Sequence, residues 1–259
     1  MAWQRYLKEF HDQNAAITEH VLGRCADRDG RDPYGWLLEA VPPGGRVLDL
    51  ACGSAPLWPG LRDRPYLGAD TSPAELAVAR RAGAGPLVRA DASALPVAPG
   101  GVDVVVCSMG LMILTPLSRA LAEIARVLAP GGVLVATVPD RRPLRPLDLA
   151  VAGGLLAALG AGLGYPNDRA LRHLPDLLVQ AGLRLDGDER HRYGYRLRSA
   201  EDADRFASSL YLPGLPPSRH RRARKYLRAL SRLNVEAPVP IRRIVAQRTA
   251  PPDARTWPS

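Results

Sequence analysis

The sequence predicts a doubly wound α/β fold, a mostly parallel sheet with helices on both faces. Three observations point to it. Strand-forming runs alternate with helix-period segments between residues 46 and 138. Runs such as Val102-Asp103-Val104-Val105-Val106-Cys107 are apolar nearly throughout, as strands covered on both faces are. The first run, Arg46-Val47-Leu48-Asp49-Leu50-Ala51, passes directly into the small residues Cys52-Gly53-Ser54-Ala55, so a buried strand ends in a tight turn.

The elements follow in order. Trp3–Leu22 reads as one amphipathic helix, with Tyr6, Phe10, Ala15 and Ile17 among its apolar positions and Asn14 out of period. Pro42-Pro43-Gly44-Gly45 breaks the chain before the first strand. Tyr66–Asp70 is a strand. Ser72-Pro73 opens a helix through Arg81, with Ser72 as cap and Pro73 at its first position. Pro86–Ala90 and Val102–Cys107 are strands. Leu117–Leu128 is a helix with Leu117, Leu121, Ile124, Ala125 and Leu128 on one face, and Gly131-Gly132 separates it from a strand over Val133–Val138.

Leu147–Gly164 is apolar, holds five glycines and carries no charge from Leu149 to Asn167. A membrane span needs about 20 strongly apolar residues, so this segment reads instead as a buried cap helix anchored by Leu149, Leu156, Leu159 and Leu163. Arg169–Ala181 is a helix stopped by Gly182. Leu183–Asp188 is a strand, and Tyr193 and Tyr195 are expected at a strand edge. Ser199–Leu210 is a helix with an acidic first turn. Pro217–Leu233 is a basic helix, Ile241–Gln247 the last strand, and Pro251–Ser259 an expected disordered tail.

The 259 residues are 46% apolar and 24% charged, which excludes a disordered or fibrous chain. Cys25, Cys52 and Cys107 lie far apart and form no CxxC pair, so neither a disulfide framework nor a zinc ribbon is expected. His11, His20, His173, His191 and His220 show no metal spacing, and no metal is expected. The first residues lack the apolar run of a secretory signal, which makes the cytoplasm the expected compartment. The net charge of +9 is local: residues 1–218 hold 24 basic and 24 acidic side chains, whereas residues 219–259 hold 11 and 2. Seven of those basic residues fall between Arg219 and Arg232. Only that helix has the electrostatic footprint of a nucleic-acid binder. With Ala223, Tyr226, Leu227 and Leu230 on one face it reads first as a solvated amphipathic helix. A nucleic-acid partner is therefore not expected, and nothing in the sequence signals an oligomeric state.

The small-residue turn lies at the C-terminal edge of the sheet, where open α/β folds bind ligands and a bare backbone permits close approach. About twenty residues further on, as in nucleoside-binding folds, the second strand ends in Asp70, an acid suited to ribose hydroxyls. The third strand ends at Asp91-Ala92 and the fourth at Cys107-Ser108-Met109. These strand ends face one crevice. A dinucleotide site fits less well, because the turn lacks the glycine that closes helix on strand.

With these strand ends and the stretch Glu123-Ile124-Ala125-Arg126-Val127-Leu128-Ala129-Pro130-Gly131-Gly132, the sequence resembles the class I S-adenosylmethionine-dependent methyltransferases over roughly residues 44–140. It resembles in particular the broad small-molecule group whose fourth helix ends in E-I-x-R-V-L-x-P-G-G. The resemblance implies one domain over residues 1–250 with a Rossmann-like sheet of seven strands, the last antiparallel. It implies an N-terminal helical lid over 1–40, cap insertions at 141–168 and 199–236, and a tail at 251–259. The implied cofactor is S-adenosyl-L-methionine. Ala51, Cys52, Gly53, Ser54 and Ala55 would form the turn under its methionine portion, with Asp49 holding that turn. Asp70 would bind the ribose, Thr71 would flank the adenine, and Asp91 with Ala92 would meet its amino edge. Ser108 would line the methyl-donor side. Ala51 and Ala55 stand where the family has glycines, and Pro56 is expected to hold Ala55 extended.

His11 is a candidate general base, because in the family the N-terminal helix often closes the cofactor site; its competing role is packing. The expected reaction is methyl transfer to a small, largely apolar metabolite such as a polyketide or quinone, of the kind made in secondary metabolism, with O-methylation favoured over C or N. The alternatives are an RNA methyltransferase using the basic helix and a cyclase of this fold that transfers no methyl. The RNA reading lacks an Asn/Asp-Pro-Pro-aromatic clamp, because Cys107-Ser108-Met109-Gly110 stands in its place.

Overall fold

A computed structural model describes residues 2–249; the expected tail at 251–259 lies outside the described residues. The chain opens with α1 (Ala2–Gln13), α2 (Ile17–Leu22), the short strand β1 (Cys25–Ala26) and α3 (Pro33–Glu39). An alternating stretch follows: β2 (Val47–Leu50), α4 (Trp58–Leu61), β3 (Tyr66–Asp70), α5 (Pro73–Arg81), β4 (Leu87–Arg89), β5 (Val102–Ser108), α6 (Leu117–Val127) and β6 (Leu128–Pro139). The last part holds α7 (Pro146–Leu159), α8 (Asp168–Arg172), α9 (Leu174–Gln180), β7 (Leu183–Arg196), α10 (Ala200–Ser209), α11 (Pro217–Ser231) and β8 (Glu236–Arg248).

One mixed sheet runs in the order β1-β7-β8-β6-β5-β2-β3-β4. Strands β2 to β6 pair in parallel, and β8 runs antiparallel to both β6 and β7. The chain moves one way from β2 to β3 and β4, and the other way from β5 to β6. The strand order therefore reverses between β2 and β5, and a crevice opens there beyond the strand C-termini. β2 and β5 lie at the centre, which is why both are almost wholly apolar: Leu48, Val105, Val106 and Cys107 have no exposed surface. α6 covers one face with Leu117, Leu121, Ile124 and Ala125, the stripe expected from its period.

The sheet has eight strands rather than the expected seven. β7 continues to Arg196 instead of stopping at Asp188, and its far end takes up β1 through Cys25↔Tyr195 and Ala26↔Gly194. Tyr195 consequently sits between β1 and β8, and Tyr193, paired with β8, packs against Trp36 and His191; both are fully buried, not at an exposed edge. β8 likewise begins at Glu236, because it pairs with β7 along its whole length. The helices α3 and α4 had no strong periodic signal; Asp32 caps the first by accepting from the Tyr34 and Gly35 N–H groups.

Two expected helices are each broken. The N-terminal one divides at residues 14–16, where Ala16 is left-handed (φ 66°) and Asn14 turns its amide onto the Phe10 carbonyl. The segment expected at Arg169–Ala181 divides at His173. Pro175 has no N–H for the Leu171 carbonyl, and Arg242 Nη1 donates to that carbonyl instead at 2.7 Å.

Helices α7, α10 and α11 pack together above the sheet as a second apolar cluster with the far ends of β7 and β8. In α7 the inward face is Val151, Leu155 and Leu159, spaced by four. Leu149 (61% exposed) and Leu156 (39%) are not its anchors; Leu163 packs against the cluster. The sequence of α7 is apolar on all sides, so periodicity could not select its inner face. Gly154 lies against the Tyr226 ring, where a β-carbon would collide, so α7 and α11 approach closely. Arg192 on β7 ties Asp148 of α7 to the sheet at 2.7 Å. On α11, Leu227 is fully buried, and Arg228, Arg224 and Arg219 bond to Asp204, Ser208 and the Gly160 carbonyl.

Candidate functional site

The crevice beyond β2 and β5 deepens into a cavity of about 1460 Å³, bounded by α1 and α2, the strand ends and the helical cap. Ligand pockets usually measure roughly 300–1,000 Å³, so this one has room for a cofactor and a second molecule together. His11, Asp49, Ala51, Gly53, Asp70 and Thr71 line it, as do Asp91, Ala92 and Ser108. Ser54 does not: after Gly53 the chain turns away toward α4, and only Pro56 and Leu57 return to the wall.

In the turn after β2 every second residue is left-handed, with Ala51, Gly53 and Ala55 at φ 54°, 53° and 60°. Pro56 does not hold Ala55 extended. A following proline disfavours the right-handed helical region, and the left-handed one still closes this turn through Ala55 N–H to the Cys52 carbonyl at 2.8 Å. Alanine in this region costs about 1–2 kcal/mol relative to glycine, which is what the two missing glycines would have avoided.

Asp70 holds the turn from the end of β3. One carboxylate oxygen accepts from the Gly53 N–H at 2.9 Å and the other from the Ser72 N–H at 2.8 Å. Each oxygen keeps a lone pair for a ligand hydroxyl. Burial raises the Asp70 pKa above its ordinary value. Asp49, 1% exposed, accepts from the Tyr66 hydroxyl at 2.9 Å, and burial pushes it up to about 7. Asp91 caps its own loop by accepting from the Ser93 N–H and hydroxyl with one oxygen, so its other oxygen is unengaged. Ser108 lies 3.3 Å from the Thr137 hydroxyl. Cys52 and Cys107 are buried, and burial raises both thiols, Cys107 to about 12. They are packing residues.

His11 faces the cavity from the last turn of α1. Its Nδ1 lies 2.8 Å from Glu75 Oε1 and its Nε2 3.1 Å from the Tyr211 hydroxyl. Burial lowers its pKa, but the Glu75 hydrogen bond and the charges of Glu75, Glu19 and Asp70 together outweigh burial and leave it raised. Glu75, Tyr211 and Glu19 had no part in the sequence expectations. Ser72 and Glu75 have capping-box spacing, and Ser72 does accept from the Glu75 N–H at 3.3 Å. The Glu75 carboxylate cannot complete the box, because Asp70 occupies the Ser72 N–H; it bonds His11 and the Ala16 N–H instead. Only the placement of Ser72 beside Asp70 hinted at this.

Residues 48–136 match the family model described as a methyltransferase domain. Demethylmenaquinone methyltransferase of Thermus thermophilus is 40% identical over 107 residues, covering 38% of this chain and 48% of that protein. The protein of the same name from Renibacterium salmoninarum is 35% identical over 153 residues, covering 56% and 62%. The chain thus matches about half to three fifths of the length of these relatives. Among solved structures, the [4+2]-cyclase SpnF superposes with a TM-score of 0.61 at 20% identity, over 97% of this chain and 98% of SpnF. Sheet order, turn and domain match agree: residues 48–136 carry the likeness to a methyltransferase domain, set in the fold that the solved neighbour shares.

Proposed function

We propose that this protein transfers a methyl group from S-adenosylmethionine to a small, largely apolar acceptor bound under the helical cap. The observation that carries the reading is the convergence of Asp70, the Gly53 turn, Asp91 and Ser108 on one cavity too large for the cofactor alone. Asp70 would hold the ribose with its spare lone pairs, Asp91 with Ala92 the adenine edge, and the Ala51–Gly53 turn the amino-acid end. The bound cofactor supplies an electrophilic methyl; the protein supplies alignment and a dry pocket. The roof over the acceptor space is apolar, with Val151, Leu155 and Phe206 among its residues. A quinone acceptor is supported by the name of the sequence relatives.

His11 would take the acceptor's proton. With a proton on Nδ1 donated to Glu75, Nε2 accepts from the Tyr211 hydroxyl, so the acceptor's proton would reach Nε2 through that hydroxyl, which passes its own proton on as it takes the new one. Such a base matters where the acceptor is a hydroxyl, the case that favours O-methylation. The fold is shared with a cyclase, SpnF, and one experiment separates the readings. The protein is incubated with S-adenosylmethionine and demethylated quinones or polyketide phenols, and products are weighed by mass spectrometry. Methyl transfer adds one CH₂ to the acceptor and forms S-adenosylhomocysteine; cyclisation leaves the mass unchanged. His11→Ala should lower methylation of a phenol by about 10²–10⁴-fold.

A further inference from the structure

Glu19 stands at the cofactor turn, and none of the roles assigned so far uses it. α2 carries its carboxylate onto Gly53, so closely that a β-carbon on that glycine would collide with Glu19 Oε1. The Thr18 hydroxyl donates to Oε2 at 2.9 Å and orients the group. Of the charges that act on it, Glu75 raises its pKa and His11 lowers it by less. Burial and Glu75 together push Glu19 up to about 7. A carboxylate so placed gains most from an incoming cation with N–H donors. The amino-acid end of the cofactor offers one such group, its α-ammonium. The sulfonium has no hydrogen to donate, and the α-carboxylate would repel Glu19.

We infer that Glu19 is the acceptor for the α-ammonium of the cofactor, so that the N-terminal lid closes on the amino-acid end. This rests on the cofactor reading above. Oε1 accepts the ammonium hydrogen bond while Oε2 stays on Thr18. Gly53 is required there because a side chain would displace the carboxylate.

The test is calorimetry with two ligands, S-adenosylhomocysteine and its analogue bearing hydrogen in place of the α-amino group. The wild type should bind the amino compound at least about 10-fold more tightly, since hydrogen bonds to charged groups are worth about that much. Glu19→Gln should lose most of this preference by weakening S-adenosylhomocysteine about 10-fold, while the deamino compound stays within about twofold. A wild type that does not discriminate overturns the assignment, whether or not the variant folds. Equal weakening of both ligands in Glu19→Gln makes Glu19 a packing residue of the lid and also overturns it. Tighter S-adenosylhomocysteine binding by the variant would make Glu19 a stand-in for the cofactor's own carboxylate, again against the assignment. A wild type that binds neither ligand overturns the cofactor reading itself.

Discussion

Asp70 both shapes the turn and, in the proposed function, binds the ligand. Its oxygens fix the Gly53 and Ser72 N–H groups, and the same oxygens would receive the ribose. Asp70→Ala should weaken S-adenosylhomocysteine binding by about 10- to 100-fold, since charge-assisted hydrogen bonds are worth roughly 1.5–3 kcal/mol; calorimetry on both proteins reads this directly. Asp49 makes a separate prediction about pH. Its pKa is about 7 in the folded protein, against about 3.9 for an unperturbed aspartate. The folded state therefore holds the extra proton between those values. The stability Asp49 contributes is fully present below about pH 4 and is lost as pH rises through about 7. Asp49→Asn carries no charge and keeps an acceptor for Tyr66. Its gain over the ligand-free wild type should grow from pH 5 to pH 8 and reach at least ~1 kcal/mol. Denaturant unfolding at the two pH values checks it.

At the scale of elements, α11 decides between a small-molecule acceptor and RNA. Ala223 and Leu227 face the cap, and Arg219, Arg224 and Arg228 are bonded to neighbouring helix residues or the Gly160 carbonyl. Among the described residues of α11, Leu227 alone lines the cavity, so the charged face lies outside it. Replacing Arg221, Arg222 and Arg224 by Gln should leave methylation of a small acceptor within a few-fold of wild type. RNA binding by the unchanged protein should be weak. Tight RNA binding with a log–log salt slope near −0.7 per phosphate contact, lost in the triple variant, would reverse that reading. The break between α1 and α2 matters as much. A continuous helix would carry residues beyond Gln13 straight on, whereas the left-handed Ala16 folds α2 back, places Glu19 on the Gly53 turn and leaves His11 on Glu75.

At the scale of the whole molecule, lid, sheet edge and cap all contribute to one cavity, so occupancy should couple to global stability. S-adenosylhomocysteine at 100 times its dissociation constant should raise the unfolding free energy by about 2.7 kcal/mol. The unfolding midpoint should shift by several degrees, and Asp70→Ala should shift less at the same ligand concentration. Thermal unfolding with and without ligand measures both. No helix among the described residues is long and apolar enough to cross a membrane. The apolar α7 instead buries Val151, Leu155 and Leu159 against the cap and leaves Leu147 and Leu149 exposed at its start.

The alternating core was legible in the sequence because its signals are local. Val102–Cys107 is too apolar to be anything but a doubly covered strand, Ser72-Pro73 starts a helix wherever it occurs, and a bare turn after a buried strand leaves a binding edge. Asp70 and Asp91 followed from their places at strand ends. What only the tertiary structure decided depends on groups distant in the chain. Tyr195 is buried because β1, some 170 residues earlier, pairs beside it, and Tyr193 because Trp36 of α3 packs on its ring. The inner face of α7 is set by α11, and the break before α9 is stabilised by Arg242 of β8. His11, Glu75, Tyr211 and Glu19 meet from four separate segments. Their meeting follows from the path of the lid over the sheet edge, which residue spacing along the chain does not encode.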